Sequence, residues 1–500
     1  MKANKAISLL AGSLAFAVMA CSSNPSSDTP TPEPTPSGPT AKLITTTANG
    51  AQSLAESEVA LTEGTSMAPA TIELDPTQTF QTIDGFGFAI TYSTCYNLLH
   101  MPKANREALL RRTYSTTEGY GVSYARISIG CNDFSSTEYT LCDKKGLENF
   151  ALHSDETNYV IPVLKEILAI NPDLKIIAAP WTCPRWMKVK NLTGMAAYDS
   201  WTDGHLNPDM REVYAQYFVK FVETMRQNGI SIYAVSPQNE PLNKANCASL
   251  YMPWQEQAPF VKALAGAFKN AGLTTKIYVF DHNYNYDNVS DQNDYPIKVY
   301  NALGNSFEGS ELVVGAAYHD YGGSNTELDD IHNQASDKDL VFTESSIGTW
   351  NDGRNLGKRL VADMSNITLG TVNRYCKAVL VWNLMLDTNR GPNLDGGCQT
   401  CYGAIDINPD GYTTMSYNSH YYVIAHMACA AQTGAVRVGT KRKPTDSSLS
   451  HAEFANPDGT YAAVILNSAA TDRTVNVADG KHYFTVTVPA SGVVSCRWKK

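Results

Sequence analysis

Two short stretches of this chain end an apolar run abruptly in a carboxylate. Tyr233-Ala-Val-Ser-Pro-Gln-Asn239-Glu240-Pro241 reads as a buried strand that becomes polar in one step, and Pro241 has no N–H with which to extend a ladder. Leu340-Val-Phe-Thr-Glu344-Ser-Ser has the same design further along the chain. In a barrel of parallel strands, polar residues at the C-terminal ends of different strands converge on one pocket, so Glu240 and Glu344 are candidates to face each other. Two such carboxyls suit the cleavage of a glycosidic bond, one protonating the leaving oxygen and the other ionised beneath the anomeric carbon. Asn239, next to one of them, is placed to bond a sugar 2-hydroxyl.

Other side chains gather at the same ends. Trp181, in Ala179-Pro-Trp-Thr-Cys-Pro-Arg-Trp186, closes a third apolar run, Tyr318-His319-Asp320-Tyr321 closes a sixth, and Trp382-Asn383 lies in an eighth. Indole and phenol rings stack on the C–H faces of sugars, while Asn, Asp and His satisfy hydroxyls. Arg126 sits inside the apolar run Tyr124-Ala-Arg-Ile-Ser-Ile. A guanidinium there needs carboxylate neighbours, and Glu344 is the candidate, which would hold that carboxyl ionised. A purely structural ion pair fits the same pattern.

The elements that would carry these residues follow a strand and helix rhythm repeated eight times. Candidate strands are 82–90, 123–131, 174–181, 232–237, 276–282, 312–319, 339–344 and 378–386. The segments between them hold helical patterns, clearest over 210–228, where Val213, Tyr217, Phe218, Phe221 and Met225 keep helical spacing before Gly229. Strands joined by crossovers of a dozen or more residues form a parallel sheet, and eight close into a barrel. Both flanks of this region are β. The stretch 42–80 has short Thr- and Val-bearing strands, and the tail 432–500 has strands beside the Pro457-Asp-Gly and Ala478-Asp-Gly turns. The expected architecture is therefore α/β: a (β/α)8 barrel over 81–431 with a fused antiparallel β-sandwich side domain built from both chain ends.

The N-terminus reads as export machinery. Lys2 and Lys5 precede an apolar stretch, Ile7 to Ala20, followed by Cys21. That is a signal peptide over 1–20, too short to span a membrane, and it resembles a bacterial lipoprotein signal in which Cys21 is acylated. Residues 21–41 form a Pro/Ser/Thr-rich tether with nothing to bury. The expected location is the outer membrane, on its periplasmic or cell-surface face, with the membrane touched only through the lipid. A net charge of −10 without basic runs argues against a nucleic-acid partner. An exported chain can oxidise its cysteines, and two local disulfides are expected, Cys131 with Cys142 and Cys398 with Cys401. Cys398-Gln-Thr-Cys401 has no second CxxC or His pair to complete a zinc site. No cofactor or metal is expected, and the protein is expected to be monomeric.

Taken together, Thr82-Ile-Asp-Gly-Phe-Gly-Phe, Arg126-Ile-Ser-Ile-Gly with Asp133-Phe-Ser, Ala179-Pro-Trp-Thr-Cys-Pro-Arg-Trp-Met-Lys188, Gln238-Asn-Glu-Pro241, Phe342-Thr-Glu344 and Trp382-Asn-Leu resemble glycoside hydrolase family 30, in the family's order. That family includes glucosylceramidases, β-1,6-glucanases and xylan-active enzymes. The resemblance implies a retaining mechanism with Glu240 as acid/base and Glu344 as nucleophile, and a pocket lined by Arg126, Asp133, Trp181, Asn239, His319, Tyr321 and Trp382. Two departures stand out. Where many members read Gly-Phe-Gly-Gly-Ala-x-Thr-Asp, this chain ends in Tyr92, and where glucosylceramidases read His-Trp-Tyr it has His319-Asp320-Tyr321. Asp320 is therefore expected to replace the missing carboxylate within the pocket. The expected substrate is a β-1,6-glucan or related β-glucoside polymer. Glucosylceramide is the alternative, and a non-catalytic surface glycan-binding lipoprotein is disfavoured because both carboxylates are retained. The loops 283–295 and 390–402 would decide endo or exo action.

Overall fold

The structure is a computed structural model that describes residues 38–500. The signal peptide, Cys21 and nearly all of the tether lie outside the described residues. Eight parallel strands close into a barrel: β1 (Gly85–Ala89), β2 (Tyr124–Ser128), β3 (Lys175–Ala179), β4 (Ala234–Val235), β5 (Lys276–Asn283), β6 (Val313–His319), β7 (Asp339–Glu344) and β8 (Cys376–Asn383). Each neighbours the next, and β8 pairs with β1. These strands are apolar along both faces because helices cover the outside and side chains fill the inside.

The inside contains an apolar layer of Tyr124, Ile177, Ala234, Tyr278, Ala317, Val341, Ala378 and Leu380. Side chains two residues apart along a strand share a face, so the next inward position towards the C-terminal end is set by this layer. Arg126 stands above Tyr124, His319 above Ala317, and Trp382 above Leu380. The sequence therefore fixes both the apolar plug and the polar floor resting on it.

The helix Arg211–Gln227 illustrates the outer ring. It buries Tyr214, Tyr217, Phe218, Phe221 and Met225 against the barrel, and Tyr214 occupies the face expected for Val213. Regular β4 is shorter than its sequence suggests, since Pro237 interrupts it. The chain still keeps its place between its neighbours: Ser236 N–H donates to Ala178 O at 2.9 Å, Asn239 N–H to Pro180 O at 2.8 Å, and Glu240 N–H to Asp281 O at 3.0 Å.

Ten further strands form one sheet folded over a second core. N-terminal strands Thr40–Thr47, Ala55–Ala60 and Thr71–Thr82 interleave with six C-terminal strands between Val436 and Lys499, and the short Thr62–Glu63 strand forms one edge. Ile72, Leu74, Ile465, Val477, Phe484, Val486 and Trp498 pack between its faces. The helix Ser419–Ala430 joins this unit to the barrel. Its buried His426 bridges the Ser495 hydroxyl at 2.7 Å and the Thr46 hydroxyl at 2.9 Å.

Cysteine pairing corrects one expectation. Cys398 and Cys401 form a disulfide, but Cys131 and Cys142 are both free and buried. The Cys142 thiol points to the carbonyls of Lys144 and Gly146, at 3.5 and 3.2 Å, rather than across the loop.

Candidate active site

At the C-terminal end of the barrel a cavity of about 300 Å³ opens between the strand ends. It lies at the small end of the range for ligand pockets. Glu240 and Glu344 both line it, with Asp133, Trp181, Tyr321 and Trp382. One carboxylate oxygen of each glutamate and a ring nitrogen of His319 lie within 4.8 Å of one another.

Glu344 ends β7. Its Oε2 accepts from Arg126 Nη1 at 2.5 Å, and its Oε1 accepts from the Tyr321 hydroxyl at 2.8 Å. Arg126 is fully buried and its other arm is divided, Nη2 donating to Asn239 Oδ1 at 2.8 Å and to Asp281 Oδ2 at 2.9 Å. The guanidinium also lies 5.1 Å from the Trp181 ring and 5.7 Å from that of Trp382, which stack on each other with centroids 5.4 Å apart. A planar, permanently charged fork is the side chain that can satisfy three partners at once in so dry a place.

Glu240 follows the break in β4 with φ of +45°, a left-handed conformation that costs a non-glycine residue energy. The surrounding bonds hold it there. Its Oε2 accepts from the side-chain amides of Asn243 and Asn246, at 2.8 and 3.0 Å, and its Oε1 lies 3.2 Å from His319 Nδ1. The far side of that ring, Nε2, is 3.0 Å from Asp281 Oδ1, which also accepts from Thr343 at 2.6 Å.

Asp281 thus links Arg126 to His319 beneath the pair, and neither it nor His282 was singled out in the sequence. The signal was present: Phe280-Asp-His-Asn283 ends the fifth apolar run in polar residues, as Asn239-Glu240 and Glu344 end theirs. A shift of register at Phe280/His282, where Asp281 has φ of +78°, turns Asp281 inward beneath the cavity. Asn243, Asn246 and Trp350 also went unremarked, because they lie on loops whose course strand periodicity does not predict.

Four carboxyls, Glu240, Glu344, Asp281 and Asp133, here face two basic groups, Arg126 and His319. Burial opposes charge on Asp281, yet Arg126 and His319 hold it well below the carboxylate range. Burial likewise opposes charge on His319, but Glu344 and Asp281 raise it to about 10, so the ring is an imidazolium at neutral pH. Burial, with the charges of Glu344 and Glu240, raises Asp133 to about 7.

The two glutamates are set apart by their neighbours. Against the burial that opposes its charge, the His282 and His319 rings and the Asn243 amide draw Glu240 down to about 2. Burial and the Glu240 charge push Glu344 up against the pull of His319 and Arg126. Burial also holds His282 below the usual imidazole range. The charge of His319 therefore bears on Glu240 at neutral pH, and that of Arg126 bears on Glu344 at every pH.

Asp133 is tied to the rim. Cys398 N–H donates to its Oδ2 at 3.0 Å, and Leu394 N–H to its backbone carbonyl at 2.9 Å, so the disulfide loop is docked on it. Asp320 is placed otherwise than expected. Strand alternation turns His319 and Tyr321 inward and Asp320 away, its carboxyl bonded to Ser345 and facing Asp363 and Arg359. It does not line the cavity, and burial raises it to about 6. Tyr92 likewise packs on Tyr96 and Tyr159 outside the cavity.

Comparison with known proteins adds to this geometry. The model of the glycosyl hydrolase family 30 TIM-barrel domain matches residues 83–429, and that of the family's β-sandwich domain matches 434–496. An endo-1,6-β-D-glucanase of Trichoderma harzianum is 29% identical over 437 residues, 83% of this chain and 84% of that protein. The lysosomal acid glucosylceramidase of Mus musculus is 24% identical over 460 residues, 86% of this chain and 83% of its own. A solved endo-β1,6-glucanase structure superposes with a TM-score of 0.88 and 54% identity, covering 92% of this chain and 100% of that one.

Proposed function

The chain belongs to glycosyl hydrolase family 30 and is a glycoside hydrolase, and from that premise we propose that it is a retaining endo-β-1,6-glucanase. The reaction runs in two displacements. Glu344 attacks the anomeric carbon while Glu240 gives its proton to the departing oxygen, and Glu240 then takes a proton from the water that releases the sugar. The observation that carries this is the approach of the two carboxylates to within 4.8 Å, near the ~5 to 5.5 Å of double displacement and short of the ~6.5 to 9.5 Å that leaves room for a direct water attack.

The roles follow from the partners. Arg126 supports negative charge on Glu344, as a nucleophile requires, and Tyr321 aims its oxygen. The Asn243 and Asn246 amides and the His319 ring aim Glu240 at the departing oxygen. Asn239, with Oδ1 held by Arg126, has its Nδ2 left for a sugar hydroxyl, and Trp181 and Trp382 provide the wall on which the ring rests. The linkage is supported by 54% identity to an endo-β1,6-glucanase over nearly the whole chain, against 24% for the glucosylceramidase. Incubation with β-1,6-glucan and with glucosylceramide, the products sized by chromatography, tests it. Oligosaccharides from the glucan support the reading, and release of glucose from the lipid alone contradicts it.

We further propose that the enzyme works at the cell envelope as a monomer, held by a lipid on Cys21. The support is the basic, apolar and Ala20-Cys21 order of the leader, followed by a Pro/Ser/Thr tether. Radiolabelled palmitate incorporated by the full chain but not by Cys21→Ala would bear this out, and equal labelling would refute it.

A further inference from the structure

Among the described residues five large hydrophobic side chains are exposed, and two of them, Tyr321 and Trp350, line the catalytic cavity. Tyr321 is engaged with Glu344. Trp350 is 52% exposed, and neither the catalytic pair nor its supports give it a task.

Its indole is held firmly on one side. A Cβ added at Gly348 would meet Trp350 Cζ3 at 1.9 Å, Cη2 at 2.4 Å and the Thr400 carbonyl at 2.5 Å. Gly348 is extended, with φ of −169°, so the need for glycine here is one of space: the six-membered ring lies directly against its Cα. The backbone beneath is fastened. Ile347–Gly348 pairs antiparallel with Cys401–Tyr402, Thr349 N–H donates to Thr400 O at 3.0 Å, and Asn351 Oδ1 accepts the Gly348 N–H at 3.0 Å. The Cys398–Cys401 disulfide closes the strand that carries this ladder. A large apolar ring kept in the open, with its conformational freedom already spent, is a pre-formed contact surface.

Beyond it the surface continues. An open cleft of about 620 Å³ is lined by Thr349, Asp352, Arg354 and Tyr402, the chain neighbours of Trp350 and Cys401 in the first cavity. In it the Arg354 guanidinium lies 4.0 Å from the Tyr402 ring centroid and donates to Asp406 at 2.7 Å. An aromatic face flanked by carboxylate and guanidinium groups suits a ligand with apolar ring faces and a rim of hydroxyls.

We propose that Trp350 is a stacking platform for a neighbouring sugar of the same glucan chain, and that the Arg354–Tyr402 cleft receives the units beyond it. This rests on the β-glucanase reading given above. Binding energy gained there, away from the reacting carbon, helps hold the chain in register between Glu240 and Glu344, so short substrates forgo part of their rate.

The test compares β-1,6-linked gluco-oligosaccharides of two to six units with β-glucosyl fluoride, whose leaving group is too small to reach the platform. In Trp350→Ala the ratio of kcat/KM for the longest oligosaccharide to that for the fluoride falls about tenfold or more, and Trp350→Phe restores part of it. Arg354→Ala lowers the ratio for the longest chains and leaves it unchanged for the disaccharide. A ratio unaltered in Trp350→Ala, whether both activities fall together or neither does, overturns the platform. Failure of the wild type to cleave β-1,6 oligosaccharides overturns the substrate reading instead, and the platform is then judged by the same ratio on whichever β-linked oligosaccharide the wild type cleaves.

Discussion

Arg126 and Glu344, on β2 and β7, are joined at 2.5 Å inside the barrel, and the same guanidinium reaches Asp281 and Asn239. One permanent charge thereby orders Glu344, Asp281 and Asn239, the chain neighbour of Glu240. The charged partner of Glu240 is instead the His319 ring, 3.2 Å away. Glu240 is held by amides and by imidazoles, one of which loses its charge below neutrality. These different surroundings of two otherwise similar carboxyls are the basis of the different roles proposed for them.

The two roles lead to opposite kinetic signatures. Glu344→Gln is expected to lose about 10³-fold or more in kcat on every substrate, since no covalent intermediate forms. Glu240→Ala is expected to lose about 10²- to 10⁴-fold on poor leaving groups and far less on dinitrophenyl glycosides, with azide restoring turnover. Steady-state kinetics on a series of aryl β-glucosides checks both.

Asp133 makes stability depend on pH. Its folded value of about 7 lies above the ~3.9 of an unfolded aspartate, so between them the native state holds the extra proton. The stability it confers is complete below the unfolded value and is lost as pH rises through about 7. Asp133→Asn should therefore gain in Tm relative to wild type by more at pH ~8 than at pH ~5, while losing activity. Thermal melts at the two pH values decide it.

His426 acts in the other direction. Burial between the Ser495 and Thr46 hydroxyls lowers it to about 3, so the native state keeps it neutral while the unfolded chain takes up a proton near ~6.5. Its contribution is present above the unfolded value and fades as pH falls towards the folded one. Since these bonds join the barrel helix to the sandwich, mild acid should loosen that junction first. Hydrogen exchange at pH ~5 compared with pH ~7 should show early loss of protection over 419–430 and 492–499.

The displacement of Asp320 also has a consequence. Because its carboxyl faces Ser345 and Arg359 outside the cavity, Asp320→Asn is expected to keep kcat/KM within about twofold of wild type, in the range of a change that touches no substrate. Substrate titration of the purified variant measures this.

Much of this was legible in the sequence. All eight barrel strands fall within or beside the stretches read from apolar runs, and β7 has the expected bounds, because Leu340 to Phe342 is apolar on both faces and is followed by Thr343 and the charge of Glu344. Legibility failed where local pattern gives way to tertiary geometry. The register shift that turns Asp281 inward is invisible to a strict period of two. The thiols of Cys131 and Cys142 had suitable spacing, yet the loop directs Cys142 to its own carbonyls. Asp320 looked like a replacement carboxylate only until strand alternation was applied to His319 and Tyr321 on either side of it.

Cleavage by Glu240 and Glu344 in two displacements at one anomeric carbon leaves the configuration of that carbon unchanged. Proton NMR of the first reducing ends released from β-1,6-glucan, recorded before mutarotation, tests it most directly. Initial appearance of the β-anomer, relaxing later to the equilibrium mixture, is the predicted result. Initial appearance of the α-anomer would mean that water attacks the sugar directly, and would contradict the account.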